Sequence, residues 1–233
     1  MKSFAKFAVS ILLLFLIGLN IQAEESDIQK LEFQKKNIHL LNSSKKESHT
    51  WWITDKQINV KIFSDKILRD NSFDKSGDWK KVIVPSNPIK LGVLPKSTTE
   101  AYYAKVFALP DNFHSSLTLL IQEISDKDKT YINGNFIGET GKWGSALPQA
   151  YDRTRAYDIP NNFLKDRNNI IVIHVKGYFP GEIGIMRNDV LLGKTSALTD
   201  YYLQQNYLQL LFLSSYLTVV AYFIFLYNKN FFI

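Results

Sequence analysis

Five residues in one stretch have the chemistry of a binding site: Trp143, Tyr151, Asp152, Arg153 and Arg155. Trp143 stands in a glycine-flanked loop, Gly141-Lys142-Trp143-Gly144, which can present a flat ring to a sugar face or to a partner. Tyr151, Asp152, Arg153 and Arg155 follow and can supply hydrogen bonds, and either arginine can grip a carboxylate through two parallel bonds. The competing reading is structural. In it Trp143 caps the edge of the core, while Arg155 and Tyr157 lock the loop to a sheet. Asp126 and Asp128 read as an Asx-type turn rather than a cation corner. Asn133 and Gly134 read as turn structure.

Catalytic chemistry has no comparable set. The sequence contains no Gly-x-Ser-x-Gly, no phosphate loop, no His-Glu-x-x-His and no cysteine. The four histidines, His39, His49, His114 and His174, lack the spacing of metal ligands. His174, on an apolar strand, reads as a hydrogen-bonded core or half-exposed side chain. Glu100, Glu123, Glu139 and Glu182 are candidates for a glycosidase pair, but nothing in the sequence pairs them. No catalytic residue, metal site or cofactor is expected, and enzyme activity is not expected. The formal charge is +6, with Lys2 and Lys6 inside the N-terminal apolar segment, so +4 is spread along the rest. That pattern is a solvated surface, not a nucleic-acid footprint. Without cysteine, an exported domain has no disulfides and relies on core burial.

The elements that must position these residues read as strands. Leu117, Leu119 and Ile121 recur two apart, the period of a strand face. Ile124–Asp128 breaks the pattern, and Thr130-Tyr131-Ile132 resumes it. Asn133-Gly134 then marks a tight hairpin, because a type I′ turn needs φ > 0 at both central residues. Ile58, Val60 and Ile62 alternate. Trp79–Val84 is stopped by Pro85. Ala101–Leu109, Thr154–Ile159 and Asn169–Lys176 are further strands. The last is apolar on both faces except at His174, and so is central. At least seven short strands with turn signals between them, and no convincing long amphipathic helix, predict an all-β fold. Its form is an antiparallel β-sandwich or jelly roll spanning 50–194.

Both ends of the chain are apolar. Residues 1–23 read as a signal peptide: Lys2 and Lys6, then the apolar run Phe7–Leu19, then Ile21-Gln22-Ala23 as a cleavage site. Residues 24–49 read as a polar lead-in and 195–207 as a linker. Leu208–Tyr227 has the length of a transmembrane helix and no charged residue. Tyrosines at both ends suit the interfacial belts, and 228–233 is a short cytoplasmic tail carrying Lys229. Inside the helix Ser214 and Thr218 share a face, which permits packing against other transmembrane helices. The expected location is a bacterial inner (cytoplasmic) membrane with a single span and the domain on the periplasmic side.

Three pieces carry a resemblance to known proteins: Ala101–Pro110; Ile124-Ser125-Asp126 with Tyr131–Gly138; and Tyr151–Pro160 with Asn168–Ile171. Their order resembles the galactose-binding-like jelly roll. It is similar to the sugar-binding domain of family 2 glycoside hydrolases. It resembles more the extracellular jelly roll of bacterial seven-transmembrane receptors with diverse intracellular signalling modules, in which a membrane helix follows the domain. The resemblance implies a sensory ectodomain that binds a small ligand, a carbohydrate or a neighbouring protein. It also implies six further helices and an output module that this sequence does not contain, so the chain reads as truncated. The alternatives are an accessory carbohydrate-binding module of a glycoside hydrolase and a single-anchor surface interaction protein.

Overall fold

The computed structural model describes residues 39–40, 50–70, 73, 77–109, 116–145, 150–166, 168–179 and 181–231. The expected signal peptide and nearly all of the lead-in lie outside them. The chain divides into two compact units, 1–193 and 194–233.

The first unit is an antiparallel β-sandwich, as the alternation predicts. Among the described residues ten strands run in chain order: β1 (His39–Leu40), β2 (Thr50–Thr54), β3 (Lys80–Ile83), β4 (Glu100–Ala108), β5 (Leu117–Ser125), β6 (Lys127–Ile132), β7 (Asn135–Thr140), β8 (Arg155–Ile159), β9 (Asn168–Lys176) and β10 (Gly184–Lys194). One sheet has the order β1-β10-β5-β8, the other β3-β2-β4-β9-β6-β7. Between them lies the main core. Trp51, Ile53, Tyr103, Ile171, Ile173 and Val175 of the six-stranded sheet face Leu119, Ile121, Val190 and Leu192 of the four-stranded one. Each such side chain contributes about 1.5–3 kcal/mol by leaving water.

β9 is central, paired with β4 on one side and β6 on the other. Its apolar character on both faces has a direct cause. The outer face of the six-stranded sheet carries a second apolar cluster, in which Phe63 and Ile67 pack with Trp79, Tyr102, Ala104, Ile170 and Val172. Phe63 and Ile67 belong to a helix, α1 (Val60–Asp70). This corrects the strand-like reading of Ile58, Val60 and Ile62. Phe63, Ser64 and Ile67 are buried while Asp65 and Lys66 between them are exposed, an i, i+1, i+4 pattern that one helix face makes and a period of two does not. The Asn59 side chain caps the helix by accepting the Ile62 N–H at 3.2 Å.

The segment Ile124–Asp128 is a sheet crossing, not an Asx turn. β5 belongs to the four-stranded sheet, β6 to the six-stranded sheet, and the chain passes between them at Asp126. The Asn133-Gly134 hairpin forms as predicted, with φ of 50° and 82°. A Cβ at Gly134 would lie 2.8 Å from the Lys61 Cα, so α1 begins tight against this turn. Asn133 ties the turn to β9: its Oδ1 accepts the Ile170 N–H at 2.9 Å and its Nδ2 donates to Asn169 Oδ1 at 2.8 Å.

The second unit is one helix, α2 (Thr195–Phe231). Residues 195–207, read as a linker, are thus helical and continuous with the apolar run. Gln209–Tyr227 is long and apolar enough to cross a membrane, with a mean hydropathy of 2.0. Ser214, Ser215 and Thr218 donate their hydroxyls to the carbonyls of Leu211, Phe212 and Ser214. The helix therefore satisfies these polar groups itself, as a hydrocarbon environment demands.

Candidate functional site

The residue pattern of β6 builds the site. Odd and even positions of a strand point to opposite faces. Asp128, Thr130 and Ile132 face the interior and are all buried; Lys129 and Tyr131 face outward and are only half-buried.

The inward face is a lock. Arg155 is 1% exposed. Its Nε donates to Asp128 Oδ1 at 2.9 Å. Nη2 donates to the carbonyls of Asp126 at 2.8 Å and Ile124 at 3.2 Å. Nη1 donates to the carbonyls of Tyr151 and Arg153. The five N–H bonds of the guanidinium thus have five acceptors. Asp128 also accepts from Tyr157 Oη at 2.8 Å and Thr130 Oγ1 at 3.0 Å. Burial pushes the Asp128 carboxyl above its usual range, against the opposing pull of Arg155 and these hydrogen bonds. Because an arginine stays charged, neutralising Asp128 would strand that charge in the interior, so the pair is an ion pair at neutral pH. The same burial pushes the Tyr157 hydroxyl far up, reinforced by the Asp128 charge.

Neighbouring residues pin both ends of the loop after β7. Lys127 Nζ donates to the Ser145 carbonyl at 2.6 Å. Asp126 Oδ1 accepts the Ala150 N–H at 3.0 Å. The Trp143 indole N–H reaches the Asp128 carbonyl at 3.4 Å. Residues 143 and 145 on one flank of the loop and 150 on the other are therefore held to the crossing Asp126-Lys127-Asp128.

Outward, this arrangement places Trp143 over a polar aromatic row. Register aligns Tyr102 of β4, His174 of β9, Lys129 of β6 and Glu139 of β7 across four strands. His174 stacks on Tyr102, with ring centroids 4.1 Å apart, and meets Trp143 at 4.6 Å. Lys129 Nζ lies 4.8 Å from the Trp143 ring centroid, within cation–π range. In the adjacent row Glu100 receives Lys176 Nζ at 2.7 Å and His174 Nε2 at 3.0 Å. Burial lowers the His174 pKa more than Glu100 raises it, so the imidazole is neutral at pH 7. A carboxylate only accepts, so Nε2 carries the proton. Burial would raise Glu100, but the hydrogen bonds from Lys176 and His174 and their charges outweigh it, and its pKa is lowered.

The five expected site residues do not form one group. Trp143 stands on the outer face of the six-stranded sheet. Tyr151 turns to Glu123 of β5, whose hydrogen bond raises its pKa ahead of the effect of burial. Glu123 is itself 3.7 Å from Arg187 Nε of β10. Both strands belong to the four-stranded sheet. Asp152 and Arg153 are exposed in the intervening turn. Arg155 is buried with five acceptors, and with Tyr157 it takes the competing reading of the sequence, a lock of the loop to the sheet. The sequence does not single out Tyr102, Lys129 or Lys176, reads His174 as a structural side chain, and offers Glu100 only as one of four unpaired carboxylates. The signal that finds them is parity: counting in twos from apolar Ile132, which faces inward, sends Lys129 and Tyr131 outward.

A separate cleft of about 350 Å³ lies among Asp65, Leu68, Arg69, Lys165 and Asn168. None of the described residues that line it is aromatic, and Asn168 is about 20 Å along β9 from His174. Among the described residues no group of three or more His, Cys, Asp or Glu can hold a metal ion.

No protein-family model matches this sequence, and no curated protein does. Among solved structures, the chain is similar to a Bacteroides uniformis beta-glucuronidase, with 19% identity, a TM-score of 0.48, and coverage of 67% of this chain and 17% of that one. It is similar to a Bacteroides vulgatus beta-glycosidase at 18% identity and a TM-score of 0.41, covering 62% of this chain and 19% of that one. It is similar to the Ruminococcus gnavus beta-glucuronidase at 13% identity and a TM-score of 0.47, covering 67% and 28%. The chain thus spans less than a third of the length of each.

Proposed function

We propose that this chain is a membrane-anchored, carbohydrate-binding β-sandwich. The observation that carries the reading is the outward surface at Trp143. A half-buried indole, fixed by its loop, stands beside a stacked Tyr102–His174 pair and within reach of Lys129, Lys176, Glu100 and Glu139. An aromatic ring beside a few fixed polar groups is the usual make-up of a small-molecule site, and here it suits the apolar face and hydroxyl edge of a sugar. Arg155 and Asp128 act as positioning residues behind it. The apolar helix Gln209–Tyr227 supports a membrane anchor by length and composition.

The finer reading is a sensory ectodomain of a seven-helix-type receptor. The order of the hairpin, the strand that follows it and an apolar helix after the domain supports it. Binding would then act by shifting the membrane helices between two arrangements. Its test is to read the coding DNA downstream of Ile233 for further apolar spans of ~20 residues and a soluble module; their absence removes the receptor reading and leaves the anchored binding protein.

The test of the binding reading is a glycan array probed with the full chain in detergent micelles, beside Trp143→Ala. The expected result is binding to a defined subset of glycans that Trp143→Ala abolishes while the unfolding midpoint stays near that of the parent. Binding unaffected by Trp143→Ala places any sugar site elsewhere. No binding to any glycan overturns the reading.

A further inference from the structure

The outer face of the six-stranded sheet does not end at Trp143. On β6, Tyr131 follows Lys129 two residues along the same outward face, a distance of about 7 Å. Tyr131 is paired across the strands with Phe136 of β7. Their rings meet edge to face at 5.6 Å. Phe136 is 51% exposed, so the face of its ring is open to a ligand. Between the two aromatic positions lies the Lys129–Glu139 pair, 3.7 Å apart and open to solvent at both heads. The start of α1 bounds this end of the surface, because Lys61 abuts Gly134 of the hairpin.

We propose that the Tyr131–Phe136 pair is a second sugar platform, and that the site takes a chain of at least two sugars rather than a single one. This rests on the carbohydrate reading above. One sugar lies against Trp143 and the next against Phe136, with Lys129 and Glu139 hydrogen-bonding hydroxyls along the way. The order aromatic, ion pair, aromatic along one strand direction matches a linear ligand: stacking has little preference for one sugar over another, and the polar pair sets register. α1 closes one end, so affinity should rise over the first few units and then level off.

The experiment uses the full chain in detergent micelles. Its probes are β-linked series of glucose, galactose, N-acetylglucosamine and glucuronic acid, each presented as mono-, di-, tri- and tetrasaccharide. The variants are Phe136→Ala and Phe136→Tyr. In the series that binds, affinity should increase on the order of tenfold from the single sugar to the short chain, the size of one aromatic stacking contact. Phe136→Ala should remove that increase and leave single-sugar binding unchanged. Phe136→Tyr should restore it. Equal affinity for one sugar and for chains, or chain binding indifferent to Phe136→Ala, overturns the second platform and leaves the Trp143 site standing. Failure of every length in every series overturns the carbohydrate reading, and the second platform with it.

Discussion

Replacing Arg155 with methionine should destabilise the sandwich heavily while leaving no direct hole in the outward surface. Methionine keeps much of the stem volume and removes all five donors. Asp128 then keeps only Tyr157 and Thr130, and the carbonyls of Ile124, Asp126, Tyr151 and Arg153 lose their partner. Breaking a buried ion pair from one side costs about 3–5 kcal/mol, a large part of the roughly 5–15 kcal/mol that holds a domain folded. At about 2 kcal/mol per molar urea, the midpoint should drop by about 2 M. The assay is urea unfolding of the full chain in micelles, followed by tryptophan fluorescence. All four tryptophans, at positions 51, 52, 79 and 143, belong to the sandwich, so the signal reports that unit alone. Arg153→Met is the control. Its side chain is exposed, and such a change stays within about 0.5 kcal/mol. A midpoint for Arg155→Met within about 0.5 M of the parent would refute the lock, because an idle buried guanidinium is the one thing this geometry forbids.

Three further outcomes follow from the same contacts. Gly138→Ala should cost about 1–3 kcal/mol in the same urea assay, because its Cβ would lie 2.3 Å from the Tyr157 ring, which Thr140 and Asp128 hold in place. Acid should weaken the parent relative to His174→Phe. The folded His174 titrates below the usual imidazole value of 6.5, so from about pH 6.5 downward the unfolded chain takes up the proton first and stability falls. His174→Phe keeps the stack and lacks that proton, so its urea midpoint should decline less over this window; parallel declines would contradict the neutral imidazole. Finally, the chain has no cysteine, so single cysteines report topology cleanly. In spheroplasts, Asp152→Cys should react with a membrane-impermeant maleimide, and Leu217→Cys should react only after detergent; the reverse pattern would overturn the anchor.

Most strands were legible because their alternation is local. Leu117, Leu119 and Ile121 declare a face without reference to the rest of the chain, and Asn133-Gly134 declares a hairpin through backbone conformation alone. The apolar faces of β9 announced a central strand. What was not legible depended on partners far away in sequence. α1 was hidden because Val60 and Ile62 continue the alternation of Ile58, so the helical pair Phe63 and Ile67 carried little weight. Arg155 reads both as a ligand contact and, with Tyr157, as a lock of the loop to a sheet, and only the distant partners Ile124, Asp126 and Asp128 decide for the lock. His174 reads as a hydrogen-bonded core or half-exposed side chain, and it is half-buried and bonded to Glu100; that Tyr102 and Trp143 come to it is a matter of register and of a loop.

Lock and surface occupy alternate residues of one strand, which bears on how the site keeps its shape. Asp128 and Thr130 bind Arg155 and Tyr157 on one face of β6, and Lys129 meets Trp143 on the other. A shift of β6 by one residue would expose the ion pair and bury the lysine, so the register that the core enforces also sets the position of the site. The loop bearing Trp143 starts from β7 and returns through Ala150 to Arg155, and both flanks are tied to the crossing at Asp126–Asp128. A ring presented on a loop is ordinarily mobile, and ordering it on binding takes free energy from the ligand. Here that ordering is done by interior polar groups when the protein folds. The buried charges at Arg155 and Asp128 do more than pair with each other: an apolar pair of the same volume would leave the carbonyls of Ile124, Asp126, Tyr151 and Arg153 without their donor, and those bonds tie the loop of Trp143 to the crossing.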